Sequence, residues 1–508
     1  MKLNYKRTIF VGFAFFLICA FWQAYDNTIP LILTNKFGLP QTASGVIMAL
    51  DNILALFMLP LFGMISDRCR SRLGRRTPFI LVGTIAAAIL LVGLSFVDNC
   101  QLRAVQAVSV PDDPQALSTI YETQSDKELM TPEGERFVLS ERFTQDEFCA
   151  IRSESDGDAY TQFVVPVRQA YAREVTRSSP GALIVFIVVL LLLLISMAIF
   201  RTPAVALMPD VTIKPLRSKA NAVINLMGSA GGILILVLGM VFATSATKNA
   251  MMSYTTYFAV IAGVMLLALV IFLWQVREPK LVRQMQDDSR RLGLEDAEEN
   301  ERTHRKLSRG ERRSLIFLLA SIVLWFMGYN AVTSKYSVYA SNILHKDYNL
   351  TLIIAQAAAI VAYLPVGMLS SKLGRKRTII AGVVMLTTAF AVACFLRENS
   401  PTMLMNAMFA LAGIGWATIN VNSFPMVVEM CSGGDVGRFT GIYYTASMAA
   451  QTVTPMFSGL LMDKFGMTVL FPYAAVFSGL AIVTMAFVLH GDNKPSAKRG
   501  LEALNVED

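Results

Sequence analysis

Apolar positions in this chain come in long unbroken runs, with neither the alternation of strands nor the narrow stripe of a surface helix. Residues 181–200 (GALIVFIVVLLLLLISMAIF) are twenty residues without a charge. At 1.5 Å per residue such a helix crosses a bilayer core of about 30 Å. Eleven further runs repeat the pattern, at 8–34, 43–65, 78–97, 220–244, 252–276, 314–343, 350–370, 378–396, 402–430, 439–461 and 468–490. The pattern predicts an all-α polytopic membrane protein with twelve transmembrane helices. Lys6 and Arg7 precede the first run as they would in a signal peptide, yet the apolar pattern continues past Ala20 with no clear cleavage site. A retained helix is expected.

Composition supports this. The chain has 508 residues, of which 54% are hydrophobic and only 16% charged, against roughly 25% charged in a soluble protein. Its mean hydropathy is +0.51. Much of its surface therefore needs no water. The net charge of +8 is carried between the apolar runs, so no nucleic-acid partner is expected. With the N-terminus placed inside, the inner segments hold about 30 Lys and Arg and the short outer loops about five. That asymmetry obeys the positive-inside rule. It predicts a multi-pass protein of the cell membrane with both termini cytoplasmic; a monomer in the bilayer is expected.

The runs fall into two sets. An offset of 304 places Tyr25 and Asp26 on Tyr329 and Asn330, and Gly63 on Gly367; an offset of 222 then places Pro203 on Pro425 and Met208 on Met430. Six spans are duplicated in parallel, giving two six-helix pseudo-symmetric bundles. The expected boundaries are a first bundle over 1–276, a cytoplasmic linker over 277–313, a second bundle over 314–490 and a cytoplasmic tail over 491–508. Within the first bundle, residues 98–178 form an outer insertion between spans three and four. They carry fifteen acids and eight bases with scattered Phe and Tyr, a mixture that fits a small folded cap or ordered loop. The linker is rich in Arg and Glu and reads as a solvated connector containing an amphipathic helix. Parallel repeats of this kind place a binding site near the midplane, where the halves meet. That is the organisation of a rocking transporter rather than of an enzyme.

Charges inside spans are costly unless paired or wet, so they mark candidate chemistry. Asp26 lies about two thirds along span one, and Asp51 lies at a similar depth in span two. Two acids at one level on adjacent helices suit a proton or cation site, at which Asp26 would also bind the substrate, with a helix-to-helix hydrogen bond as the plain structural alternative. Trp22, Gln23, Tyr25 and Asn27 on span one, Trp325, Tyr329 and Asn330 on span seven, Tyr363 on span eight, and Trp416, Asn420 and Asn422 on span ten supply aromatic faces and amides. A pyranose has apolar faces for stacking and hydroxyls for hydrogen bonds, so this mix suits a sugar; aromatics that merely pack are the alternative for each. Lys335 is a substrate contact, a partner for an acid, or an interfacial lysine reaching for water. Gly228 with Gly232, and Ala446 with Ala450, have the spacing of close helix contacts.

No phosphate-binding loop is present, the histidines His304, His345 and His490 sit at or beyond span ends, and no nucleophile–base set stands out. No catalytic residues, metal site or cofactor are expected beyond a coupling proton or other cation. Cys100 and Cys149 share the outer segment, which allows a disulfide where that side is oxidising without establishing one.

The strongest local signal joins spans two and three: Pro60, Gly63, then Ser66-Asp67-Arg68-Cys69, Ser71, Arg72, Gly74-Arg75-Arg76 and Pro78-Phe79-Ile80. Gly367, Ser371 and Gly374-Arg375-Lys376-Arg377 repeat it in the second half. This resembles the loop motif of the major facilitator superfamily, and the resemblance to that superfamily covers nearly the whole chain. The first tract is similar to the sucrose–proton symporters among the glycoside–pentoside–hexuronide:cation symporters. The resemblance implies that the loop is a conformational latch. Asp67 would meet the start of span eleven near Gly437 and Arg438, Arg75 would pair with Asp210, and Arg375 with Glu429; Arg68, Gly74 and Arg76 complete the motif. Ser371 replaces the second acid, so the second latch should be weaker. Melibiose-type members carry acids where this chain has Ala55 and Leu59, which favours a proton over a sodium ion. The expected function is proton-coupled movement of a sugar or glycoside by alternating access, with an exporter or facilitator of drugs, organic acids or other metabolites as the rival.

Overall fold

Every apolar run becomes a helix, because hydrocarbon offers no partner for a free backbone N–H or C=O and a helix satisfies both within itself. In the computed structural model, residues 3–213, 216–291, 308–428, 430 and 436–490 are described. The long helices of the first half are α1 (Tyr5–Asn35), α2 (Gln41–Arg68), α3 (Thr77–Ala104), α4 (Gly181–Val211), α5 (Arg217–Val241) and α6 (Thr255–Gln275). Those of the second half are α7 (Arg309–Leu344), α8 (Tyr348–Leu373), α9 (Arg375–Ala393), α10 (Thr402–Val428), α11 (Val436–Phe465) and α12 (Met467–Ala486). Ten helices, all but α8 and α11, are long and apolar enough among the described residues to span a membrane; α8 and α11 run for 26 and 30 residues. The structure is a twelve-helix membrane fold.

Packing repeats with the sequence. In the first half α1 packs on α5 and α6, α4 on α2 and α3, and α3 on α6. In the second half α7 packs on α11 and α12, α10 on α8 and α9, and α9 on α12. Each pair is the earlier one advanced by six helices. The contacts between halves obey the same rule: α5 meets α8, α11 meets α2, and α1 meets α7. Exchanging the halves maps this set onto itself, the signature of a pseudo-twofold axis. Two apolar cores follow, one around Phe21, Leu193, Phe200 and Phe258, the other around Trp325, Leu386, Phe390 and Phe471. Gly74 (φ +114°) and Gly374 (φ +91°) turn the chain at the duplicated loop in a conformation that a side chain resists.

Residues 98–178 fold as a cap. The end of α3, the helices Pro114–Gln124, Gln145–Ala150 and Val165–Ser178, and a hairpin pairing Leu129 with Phe137 enclose a core of Leu117, Ile120, Phe148, Tyr160 and Val164. Thr144 and Glu147 close a capping box on the Gln145–Ala150 helix. The linker begins with the helix Glu278–Arg291, whose strongly one-sided polarity is that of an amphipathic helix. Cys100 and Cys149 are free thiols, which corrects the disulfide allowed by their shared segment. Cys100 is exposed on the end of α3 while Cys149 packs against the cap core, so the two thiols belong to different packing environments.

Candidate functional site: a charged layer in the first bundle

Asp26 on α1 comes within electrostatic reach of Asp51 on α2 and of Arg201 on α4. Asp51 also accepts a hydrogen bond from the Asn52 amide at 2.8 Å. The Arg201 guanidinium lies 5.4 Å from the centre of the Trp22 ring. Trp22 in turn stands edge-on to Tyr25 at 5.4 Å, and both the Trp22 indole N–H and the Tyr25 hydroxyl are buried without a partner. Unpartnered buried donors are costly, so this layer has polar capacity to offer a ligand. Across the interface, Tyr329 on α7 stacks flat on Trp416 of α10 at 3.6 Å, with Phe326 edge-on behind it.

The other expected ligand-binding residues divide. Asn420 is half-buried and Asn27 buried. The Asn330 amide donates to its own helix at Phe326 O, 2.9 Å away. Asn422 is engaged within the second bundle, accepting from Ser370 at 2.6 Å and donating to Thr418 O at 3.0 Å. Gln23 accepts from Gln356 of α8 at 2.5 Å and so links the halves.

On the cap side the halves are shut. Asp463 of α11 accepts from the Gln41 and Thr42 backbone N–H groups, each at 2.7 Å, and from the Thr42 hydroxyl at 2.5 Å. These are the free N–H groups that open α2, where an anion is favoured. Lys335, fully buried, donates to the Gln41 carbonyl at 2.8 Å, so its ammonium is spent on the protein rather than reaching for water. A Cβ on Gly45 would lie 2.0 Å from the Pro455 carbonyl oxygen, and one on Gly459 2.3 Å from that of Gln41. Only glycine permits that approach. Gly228 likewise seats α5 on α1, where a Cβ would meet Cys19 Sγ at 2.8 Å. The cap spans the closed side: the Met467 N–H donates to Pro132 O at 2.6 Å, while Arg173 donates to Gly38 O at 2.9 Å.

The opposite face carries the duplicated loop. Arg75 Nη2 is 2.6 Å from Asp210 Oδ1, as the motif implies, and Arg76 Nε is 2.8 Å from Asp210 Oδ2. Asp67 engages Arg76 of its own loop at 2.5 Å; its expected partner at the start of span eleven, near Gly437 and Arg438, lies where the side chains are outside the described residues. Arg76 also donates to Ser66 at 2.5 Å, so one guanidinium ties the ends of α2, α3 and α4. Gly63 packs beside Thr202, a Cβ there standing 3.2 Å from its methyl, and Arg68 is exposed. Arg375 is buried. Glu429 lies outside the described residues, as do the side chains at Gly367 and Arg438.

Family models decide the relationship. The Major Facilitator Superfamily model matches residues 175–357 and 339–504, and an MFS/sugar transport protein model matches residues 10–107. The chain belongs to the major facilitator superfamily. Proton-associated sugar transporter A of Homo sapiens is 36% identical over 96 residues, 19% of this chain and 12% of that protein. Sucrose transport protein SUC4 of Arabidopsis thaliana is 43% identical over 55 residues, 11% of each chain. The matched stretch thus spans only about an eighth of these curated relatives. Among solved structures, the xylose transporter XylE from E. coli in its inward open conformation superimposes with a TM-score of 0.58 at 16% identity, covering 95% of this chain and 96% of that one. The nucleoside transporter NupG superimposes with a TM-score of 0.54 at 15% identity, covering 95% and 98%. Members of this superfamily are in general carriers rather than enzymes.

Two residues of this major facilitator escaped the sequence reading. Arg201 falls just past the uncharged run, which stops at Phe200, whereas the helix continues to Val211 and carries Arg201 inside. Glu278 opens the linker, yet its carboxylate accepts from the Arg75, Arg76 and Thr77 backbone N–H groups at 2.8–3.0 Å and from the Thr77 hydroxyl at 2.7 Å. It caps α3 from 201 positions away. The Glu278→Ala variant should lose about 1–3 kcal/mol of stability through those orphaned donors, read as a lower thermal midpoint in detergent. A midpoint equal to that of the unmodified chain would show that the cap is dispensable.

Proposed function

We propose that this chain is a secondary active transporter that moves a sugar or glycoside by proton-coupled alternating access. The observation that carries this reading is the layer of Asp26, Asp51 and Arg201 beside Trp22 in the first bundle, together with the bonding of the two bundles on the cap side. Two carboxylates facing one guanidinium leave a single negative charge in low-dielectric surroundings, and one proton cancels it. A neutral layer lets the halves rock past each other, whereas an uncompensated charge resists desolvation. The Trp22 and Trp416–Tyr329 faces would stack on pyranose rings, and the unpartnered donors would meet their hydroxyls. Alternating access then consists of breaking the Asp463–Gln41–Lys335 closure while the halves close on the opposite face. The plasma membrane, with the Arg75–Arg76 loop and both termini cytoplasmic, is the setting that fits the charge asymmetry.

Proteoliposome uptake of labelled disaccharides, with and without an inward proton gradient, tests this. Accumulation is expected only with the gradient. If no sugar responds to pH, proton coupling fails. If organic acids or cationic drugs are taken up instead, the exporter or facilitator reading replaces the sugar.

A further inference from the structure

The cap meets the second bundle through side chains of metal-binding type. Asp158 comes from the cap, His345 from the turn that ends α7, and Glu398 from the turn between α9 and α10. One ligand atom from each lies within 4.8 Å of the other two. His345 Nδ1 and Glu398 Oε2 are 3.6 Å apart. Bonds of about 2.0–2.2 Å in a tetrahedral zinc site place neighbouring ligand atoms about 3.4 Å apart. One edge of such a site is therefore nearly formed, and the exposed Asp158 carboxylate closes the rest by side-chain rotation.

The histidine is held in place. His345 sits at φ +50°, a left-handed conformation uncommon for a residue with a Cβ. Its side chain is only 10% exposed, and its Nδ1 lies 3.7 Å from where a Cβ on Gly157 would stand. The ring is thus directed at the cap segment that carries Asp158. An imidazole with two carboxylates balances a dication, and imidazole selects zinc over magnesium or calcium.

We infer that Asp158, His345 and Glu398 form a divalent zinc site, completed by water, that clamps the cap to the second bundle. Because the three ligands come together only where the cap is docked, the metal stabilises the cap-side-closed arrangement by mass action. Resting on the transport reading, the consequence is that zinc supplied from the cap side slows the cycle.

The test is calorimetric titration of the full-length chain in lipid nanodiscs with Zn²⁺, and with Mg²⁺ as control. Saturable binding of one Zn²⁺ per chain and none of Mg²⁺ is expected. Asp158→Asn and His345→Gln should each weaken binding by about tenfold or more, as loss even of a supporting partner does. Zn²⁺ should raise the thermal midpoint of the unmodified chain and leave that of Asp158→Asn unchanged. Asp158 is exposed, so its replacement leaves the fold intact and isolates the ligand. Absence of saturable Zn²⁺ binding, or undiminished binding in Asp158→Asn, overturns the clamp. Neither result bears on sugar uptake, which is measured without metal.

Discussion

Asp26→Asn should abolish gradient-driven accumulation while leaving solute exchange at zero gradient within about twofold. With one proton per solute, two pH units store about 2.7 kcal/mol, which supports about a hundredfold accumulation. Asparagine resembles a carboxyl that never releases its proton, so the layer with Arg201 stays neutral and the halves can still rock. The proton, however, is no longer returned. The steady-state ratio should fall from about a hundred to about one, read directly as internal over external label. An unchanged ratio would clear Asp26 of the coupling role, and loss of exchange as well would make it a substrate contact instead.

The second large effect concerns a pair remote from that layer. Lys36, at the end of α1, and Asp98 on α3 are both fully buried, with Nζ 2.5 Å from Oδ2. The ammonium also donates to Met252 O at 2.6 Å and stands 4.7 Å from the centre of the Tyr254 ring. Gln101 donates to Lys36 O and to Thr176, each at 2.9 Å, so the pair anchors the cap to the first bundle. Removing one partner strands a charge without water, a loss of about 3–5 kcal/mol. Asp98→Ala should therefore unfold far earlier in a thermal scan. Replacing both residues together, Lys36→Met with Asp98→Leu, should recover most of the loss because no charge is left uncompensated. If the double variant is as unstable as the single one, the pair contributes through shape rather than charge.

Hydropathy alone located all twelve helices, because a span must be long, apolar and internally hydrogen-bonded, and each of those demands is written in consecutive residues. The duplication was equally legible, since Tyr25 and Tyr329 or Pro203 and Pro425 recur at fixed offsets. The Arg75–Asp210 pair was available through the loop motif. Asp26 and Asp51 were visible because a carboxylate within an apolar run stands out.

Partners chosen across the fold were decided by tertiary structure. Arg201 gained its place beside the two acids only when α4 ran eleven residues beyond the uncharged run. Asp463 became the cap of α2 because glycines at 45 and 459 let two backbones touch. Lys36 and Asp98, both at the margins of apolar runs, read as ordinary boundary charges until α1 and α3 buried them together. The two cysteines of the cap share a segment but remain separate thiols, whereas Asp158, His345 and Glu398, scattered over 240 positions, converge. Hydropathy is a local sum over neighbours, so a single sequence states it outright. Charge pairing depends on distances between segments far apart in the chain, and those are set only when the helices have packed.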